Sequence, residues 1–499
     1  MAKTMKNENK TDMIVIGGGP AGVTAALRAR ELGASVALIE RNRMGGTCTN
    51  DGCVPTRVLA HTARLLREAD QFQEYGLSGQ SPQLNFSQVM RRASQVVYTI
   101  HEKKQLIGHL SDVDVRVFSE VGEARFLDDH TIGLPDGTRL KAEKFILCAG
   151  GRARRLDFPG AELALTHSDV WALRELPASV VIVGAAATGC QLASIFSAFG
   201  AKVTLLDRSD QILGTEDQVV SEAVRQSFQQ RGIQIITGIE AIQQVEAHKA
   251  VQILHYTKNG QRQQLQTQAV MLSTGWVGNL SSLNLAAAGV ETLGAYIPVN
   301  DYLQTNQPHI FAAGDITGRM MLVQSAGNEA LAAAENAVLG VGQPQKHHIV
   351  PHGGFTDPEY GSVGLTEAQA QAAGDYLAAQ VDYRDLDRAV IDDRITGLCK
   401  LIVSTKNHRI LGAHVVGEQA LEIVHMAAAG MAAGMWVEQL ADLQIAYPTY
   451  TAIIGLAARK ITRQLGVLPL TPEWRSLEKR QPHKSLRAEW ELGNSGMEL

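Results

Sequence analysis

Residues 12–40 read DMIVIGGGPAGVTAALRARELGASVALIE, and this stretch decides the fold. An apolar strand from Met13 to Ile16 runs into a glycine-rich turn, a helix follows, and a second strand ends on Glu40. Gly17, Gly19 and Gly22 stand in the GxGxxG spacing of a dinucleotide-binding βαβ unit. The first glycine allows the tight turn. The second lets a pyrophosphate approach the backbone at a helix N-terminus, and the third lets the helix lie close to the sheet. Glu40 is placed to accept hydrogen bonds from ribose hydroxyls.

The fingerprint is followed closely by GGTCTNDGCVPTR, Gly45 to Arg57, which carries Cys48 and Cys53. Both cysteines precede an apolar-periodic stretch (Val58, Leu59, Ala63, Leu66). Pro55 can open that helix without losing a hydrogen bond. Cys53 therefore sits near a helix N-terminus, where the dipole stabilises a thiolate. A bare Cys-x4-Cys also fits half a zinc site or two buried thiols. A structural zinc, however, takes about four ligands, and Cys148, Cys190 and Cys399 are scattered singly. The context favours a redox dithiol beside a bound flavin.

A second nucleotide unit starts at Ser179, runs as VVIVGAAATG through a helix to KVTLLD, and ends at Asp207 and Arg208. Gly184 and Gly189 hold the first and third glycine positions, but Ala186 holds the second. Its methyl hinders the closest approach of a pyrophosphate, so binding is expected to be weaker or displaced; a Rossmann-like domain that binds nothing is the alternative. Asp207 favours the free 2′-hydroxyl of NADH, whereas Arg208 would accommodate the phosphate of NADPH by turning inward. NADH is the expected nucleotide, with NADPH possible.

At 499 residues the chain is long enough for several domains. A net charge of −5 gives no nucleic-acid footprint, and five cysteines in so long a chain fit a reducing, cytoplasmic compartment rather than a disulfide scaffold. The polar start MAKTMKNENKTD has no apolar signal core. Residues 178–201 are uncharged, but Gly184, Gly189 and Gln191 punctuate them, so they read as strand, turn and helix rather than a membrane span.

With these residues the chain resembles the flavoprotein pyridine nucleotide-disulfide oxidoreductases, the family of dihydrolipoyl dehydrogenase, glutathione reductase and mercuric reductase. The likeness runs from Asp12 to about Gly466. It includes GEARF (Gly122 to Phe126), CAGG (Cys148 to Gly151), STG (Ser273 to Gly275), IFAAGDITG (Ile310 to Gly318) and FTDPEYGSVGLTE (Phe355 to Glu367). The resemblance implies an α/β fold: two Rossmann-like nucleotide-binding domains plus an α+β C-terminal dimerisation domain. The expected boundaries are 1–165 and 295–346 for the FAD domain, 166–294 for the NAD(P)H domain, 347–466 for dimerisation and 467–499 for a tail. FAD would be held by Gly17, Gly19, Gly22, Glu40, Thr47, Arg57, Glu123, Ala124, Ala149, Gly150 and Asp315. The nicotinamide nucleotide would fall to Gly184, Gly189, Asp207, Arg208 and Gly275. The resemblance also implies that Cys53 is the charge-transfer thiol and Cys48 the interchange thiol, in a homodimer whose active site uses both subunits.

The departures from the family pattern point to the acceptor. Arg57 and Gln191 stand where relatives commonly pair a lysine with a glutamate, keeping a positive charge near the flavin but with guanidinium geometry. In IAYPTYTAI, Ile445 to Ile453, Tyr447 replaces the histidine and Ala452 the glutamate of the disulfide-reducing relatives. A tyrosine of pKa about 10 does not shuttle protons at neutral pH as an imidazole of about 6.5 does. Mercuric reductases share the tyrosine but also carry a C-terminal cysteine pair, and here no cysteine follows Cys399. Asp51, where relatives are usually apolar, reads as a solvated loop carboxylate. His347 and His348 read as a polar linker, and His414 and His425 as core or interface histidines. The tail from Val467, with Trp474 and Trp490, is expected to pack on the dimer surface.

The expected activity is thus NAD(P)H oxidation through FAD and a Cys48–Cys53 disulfide to a metal ion, a quinone or an unusual disulfide. A divergent dihydrolipoyl dehydrogenase and a slow flavin-containing redox sensor are the alternatives. No nucleic acid or membrane span enters any of these readings.

Overall fold

The computed structural model describes residues 10–342, 344–345 and 349–467. His347, His348 and the tail beyond 467 lie outside the described residues. Two compact units emerge, residues 1–176 with 271–347 and residues 177–270 with 348–499.

In the first unit the strand β1 (Lys10–Ile16) leads into helix α1 (Pro20–Glu31) and strand β2 (Val36–Ile39). Pro20 opens α1, which buries Ala21, Gly22, Ala25, Ala26 and Ala29. This face of small residues lets the helix lie flat over the sheet. The strands β3 (Arg116–Phe118), β4 (Arg125–Asp128), β5 (Thr131–Gly133) and β6 (Arg139–Leu147) complete the order β3-β2-β1-β6-β5-β4, with Ile310–Ala312 also paired to β6. Parallel pairing of β1 with both β2 and β6 sets the ends of these strands, and so the glycine turn, at one edge of the sheet. The alanine-rich helix Val323–Leu339 adds Ala326, Ala330, Ala333, Ala334 and Ala337 to the same core.

The second unit opens with parallel strands Ser179–Val183, Lys202–Leu206 and Gln234–Ile236 and an antiparallel meander, Ala241–His248, Val251–Lys258 and Gln261–Thr267. Its C-terminal part is a five-stranded antiparallel sheet in the order His352–Gly354, Tyr360–Gly364, Ile410–Val416, Leu398–Ser404 and Tyr376–Asp382. The helices Ala420–Ala432 and Ala452–Gln464 pack on it around buried Tyr383, Leu401, Val415, Ile423 and Ile453. This is the expected α/β class with an α+β C-terminal portion.

A buried ion pair knits this unit together. Asp217 caps the helix Gln218–Gln230 by accepting from Val219 N, and its carboxylate lies 2.9 Å from Lys400 Nζ. Burial alone would lower Lys400, but its bonds to Glu367 and Asp217 hold it above the ordinary ammonium value. Lys400→Met strands the Asp217 carboxylate, which is only 2% exposed. The expected cost is about 3–5 kcal/mol, read as a lowered urea midpoint. An unchanged midpoint rules out this account of the pair. His414 is buried beside this network, as expected of a core histidine, whereas His425 is exposed on its helix.

Candidate active site

The first unit builds the dithiol from its glycine turn outward. Gly17 adopts φ +112°, and a Cβ there would stand 2.1 Å from Cys148 O; a Cβ on Gly22 would stand 1.7 Å from Gly17 O. Both positions therefore exclude every other residue. Glu40 closes the turn by accepting from Gly18 N at 2.6 Å and Asn42 N at 2.8 Å. Gly45 N donates to Gly18 O at 2.8 Å, so the cysteine-bearing segment hangs directly from the glycine turn.

Cys48 lies inside the short helix α2 (Gly46–Asn50), with Thr47 beside it, and Cys53 is the first residue of α3 (Cys53–Ala69). The two sulfurs are electrostatically unlike. A hydrogen bond from Cys48 brings Cys53 down to about 7 against the opposing effect of burial. The same bond, reinforced by burial, pushes Cys48 well above the usual thiol range. The reduced pair is consequently a thiolate acceptor at Cys53 and a thiol donor at Cys48. Asp315 opens the turn after Gly314 and lies within electrostatic reach of both sulfurs; burial first, and Glu329 second, hold its carboxyl above the usual range. Arg57 is exposed on α3 one turn past Cys53.

The first unit also carries the expected flavin residues Glu123, Ala124, Ala149 and Gly150 and the expected nicotinamide-nucleotide residue Gly275. Ala124 is buried and Glu123 exposed, 3.8 Å from Arg41. Asn279 holds the turn at Ala149 and Gly150 by donating its side chain to Ala149 O at 2.8 Å and its backbone to Gly150 O. Gly275 sits at φ +99° with its carbonyl accepting from Arg154 N.

The segments between the cysteines are gripped from two sides, which sequence spacing did not reveal. Lys104 Nζ lies 3.4 Å from Thr49 Oγ1 and His101 Nε2 lies 2.7 Å from Asn50 Oδ1, both from helix α4 (Phe86–Lys104). Ser168 Oγ donates to Asp51 Oδ2 at 2.6 Å, and Trp171 Nε1 donates to Asp51 O at 2.8 Å. The expectation of a solvated carboxylate at Asp51 is therefore corrected: it is a half-buried clasp. An aspartate replacing an apolar residue was the only local signal.

Gln191, Asp207, Arg208 and Tyr447 belong to the second unit. Gly184 takes φ +105° at the turn, while Ala186 has φ −78° and ψ −172°, close to the −76° and −175° of Gly19. Backbone conformation thus does not demand glycine at this place, and the Ala186 methyl acts only on what approaches the turn. Gly189 is buried in the helix Ala187–Ala198. Asp207 accepts from Ala185 N and Ser209 N, and Arg208 is exposed. Gln191 has both amide ends engaged within this unit, donating to Ala187 O at 3.0 Å and accepting from Phe355 N at 3.1 Å. Tyr447 is 71% exposed and donates its hydroxyl to Asp387 Oδ2 at 2.6 Å, a bond that raises the phenol above its ordinary value.

Residues 11–330 match the family model for pyridine nucleotide-disulphide oxidoreductases, and residues 350–458 match the dimerisation domain of the same family. The chain belongs to this family. Curated relatives include a mercuric reductase of Lysinibacillus sphaericus, 30% identical over 91% of this chain and 83% of its own length. A soluble pyridine nucleotide transhydrogenase of Escherichia coli is 32% identical over 90% of this chain and 97% of its own. A dihydrolipoyl dehydrogenase of Bacillus subtilis is 28% identical over 90% and 97%. Among solved structures, the Cu(II) complex of the HOCl-induced flavoprotein disulfide reductase RclA from Escherichia coli superposes with a TM-score of 0.81 at 26% identity, covering 91% of this chain and all of that one.

The chain is accordingly an FAD-dependent oxidoreductase of the disulphide type that uses a nicotinamide nucleotide, and its dimerisation domain supports a homodimer. The residues present fit the flavin nucleotide. The glycine turn is held open by two positions that admit no Cβ, and a Cβ on Gly46 would reach within 2.8 Å of Gly19 Cα, so the dithiol segment lies against the turn at which a pyrophosphate binds. Among the described residues, no helix is long and apolar enough to cross a membrane.

Proposed function

We propose that this oxidoreductase delivers electrons through Cys48 and Cys53 to a metal ion, with quinones and unusual disulphides as lesser acceptors. The observation that carries this reading is Tyr447, whose hydroxyl is given to Asp387 and whose phenol is held protonated. Bound FAD would supply the two-electron relay between nicotinamide and sulfur. Two electrons and one proton open the disulfide, leaving a thiolate at Cys53 and a thiol at Cys48. A bound thiophilic ion displaces the Cys48 proton and takes the electron pair as the S–S bond re-forms; Hg(II) would accept both electrons, whereas two Cu(II) ions would accept one each. No general acid is needed at that step, unlike the release of an organic thiol. The mercuric reductases among the relatives and the Cu(II)-bound reductase among the structures support the same acceptor class.

In this proposal Asp207 selects NADH, Arg57 keeps a positive charge near the flavin, and residues 166–294 form the nicotinamide domain inserted into the FAD domain. The partner subunit's Tyr447 completes the site. A reducing cytoplasm, where the dithiol stays open, suits the chemistry.

One anaerobic experiment tests the reading. The holoenzyme is reduced with NADH or NADPH and challenged with Hg(II), Cu(II), a quinone, lipoamide and glutathione disulfide. Fastest reduction by NADH and fastest reoxidation by a metal ion are expected. Preference for lipoamide returns the chain to the dihydrolipoyl dehydrogenases, and failure with every acceptor favours a slow redox sensor. Faster reduction by NADPH removes the role given to Asp207.

A further inference from the structure

The first unit gathers three donors from distant parts of the chain, away from the dithiol segment. Asp129 and His130 form the turn between β4 and β5, and His309 immediately precedes the strand Ile310–Ala312. One ligand atom from each lies within 4.8 Å of the other two. The imidazoles stack with centroids 4.4 Å apart and planes 24° from parallel.

Each ring has one nitrogen committed to a backbone carbonyl. His130 Nδ1 lies 2.8 Å from Ala142 O, and His309 Nε2 lies 2.9 Å from Asp129 O. A carbonyl oxygen only accepts, so both of those nitrogens carry the proton, and His130 Nε2 and His309 Nδ1 keep their lone pairs. A neutral imidazole whose far N–H is held by a carbonyl is the arrangement that orients metal-ligating histidines. Asp129 and His130 are exposed and His309 is half-buried, and no hydrogen bond to the Asp129 carboxylate occurs among the described residues. Each imidazole thus keeps one nitrogen lone pair, and the Asp129 carboxylate is the third donor of the cluster.

We infer that Asp129, His130 and His309 form a surface site for a divalent transition-metal ion, with Cu(II) bound more tightly than Zn(II). Two imidazole nitrogens and one carboxylate disfavour Ca(II) and Mg(II), which take oxygen ligands, and the usual affinity order places Cu(II) above Zn(II). Donors bound to one such ion at about 2.1 Å stand at most about 4.2 Å apart. Closing the present spread, and turning the stacked rings so that their in-plane lone pairs meet at one ion, takes side-chain rotation at exposed Asp129 and His130 and at half-buried His309. The bound ion would tie the β4–β5 turn to the strand Ile310–Ala312, and so stabilise the folded unit by mass action. This site is independent of the acceptor proposed for the dithiol.

The test uses full-length holoenzyme carrying Cys48→Ser and Cys53→Ser, so that the active-site thiols neither bind nor reduce the probe. Cu(II) is titrated in and followed by electron paramagnetic resonance. One equivalent should bind with couplings from two imidazole nitrogens, and saturating Zn(II) should raise the unfolding temperature. In the same background, His130→Gln with His309→Gln should weaken Cu(II) binding at least tenfold and remove the two-nitrogen signature. Asp129→Asn, a milder change at an exposed turn, should weaken binding without altering metal-free unfolding, and His347→Gln with His348→Gln should leave the signature intact. Loss of the signature in that last variant, its persistence without His130 and His309, or its absence from the starting protein overturns the assignment.

Discussion

Cys53→Ser protein given two electrons should show no long-wavelength charge-transfer absorbance, and Cys48→Ser protein should show it with no reductant added. The asymmetry follows from the two sulfurs. Cys53 opens α3, receives the hydrogen bond and lies near 7, whereas Cys48 donates that bond and is pushed up. Removing the Cys48 sulfur prevents disulfide formation, and the hydroxyl that replaces it can still donate to Cys53 at the helix N-terminus. In the two-electron-reduced wild type, the band should grow as pH rises through about 7, because only the deprotonated Cys53 donates charge. Each single variant should lose disulfide-dependent turnover. Identical visible spectra from the two variants would exchange or erase these roles.

Tyr447→His combined with Ala452→Glu should raise lipoamide turnover by about a hundredfold to ten-thousandfold, the usual worth of general acid-base assistance. Reduction of the holoenzyme by NADH should change little. The Tyr447 hydroxyl is bonded to Asp387 Oδ2, which makes loss of the phenolic proton harder still. An imidazole there would find the Asp387 carboxylate as an orienting acceptor. Ala452 is the first residue of its helix, where a glutamate is favourable toward the dipole. Wild-type lipoamide turnover within tenfold of the double variant would sink the metal-ion reading.

The legible parts of this molecule are those whose physics is local. Gly17 and Gly22 announce themselves because no Cβ fits within a few residues of chain, and Cys53 does so because a helix begins on it. The α/β class followed from two apolar strand, turn and helix runs. What stayed hidden depends on closure over long separations. Ser168 meets Asp51 across 117 residues, Asn279 meets Ala149 across 130 and Lys400 meets Asp217 across 183. No spacing rule reaches so far, and an isolated aspartate in a loop is most simply solvated. Gln191 stands where relatives carry the glutamate of an ion pair, and sequence alone does not show that its amide is engaged by Ala187 and Phe355.

The clasped segment between Cys48 and Cys53 bears on how little each catalytic cycle must reorganise. Thr49, Asn50 and Asp51 are each tethered, to Lys104, to His101 and to Ser168 and Trp171 respectively. Ordering a free residue costs about 1–2 kcal/mol of conformational entropy, so a slack loop would surrender several kcal/mol whenever the sulfurs joined and regain it whenever they parted. Here most of that ordering is completed when the chain folds. Opening and closing the S–S bond can then proceed with little rearrangement of the chain around it.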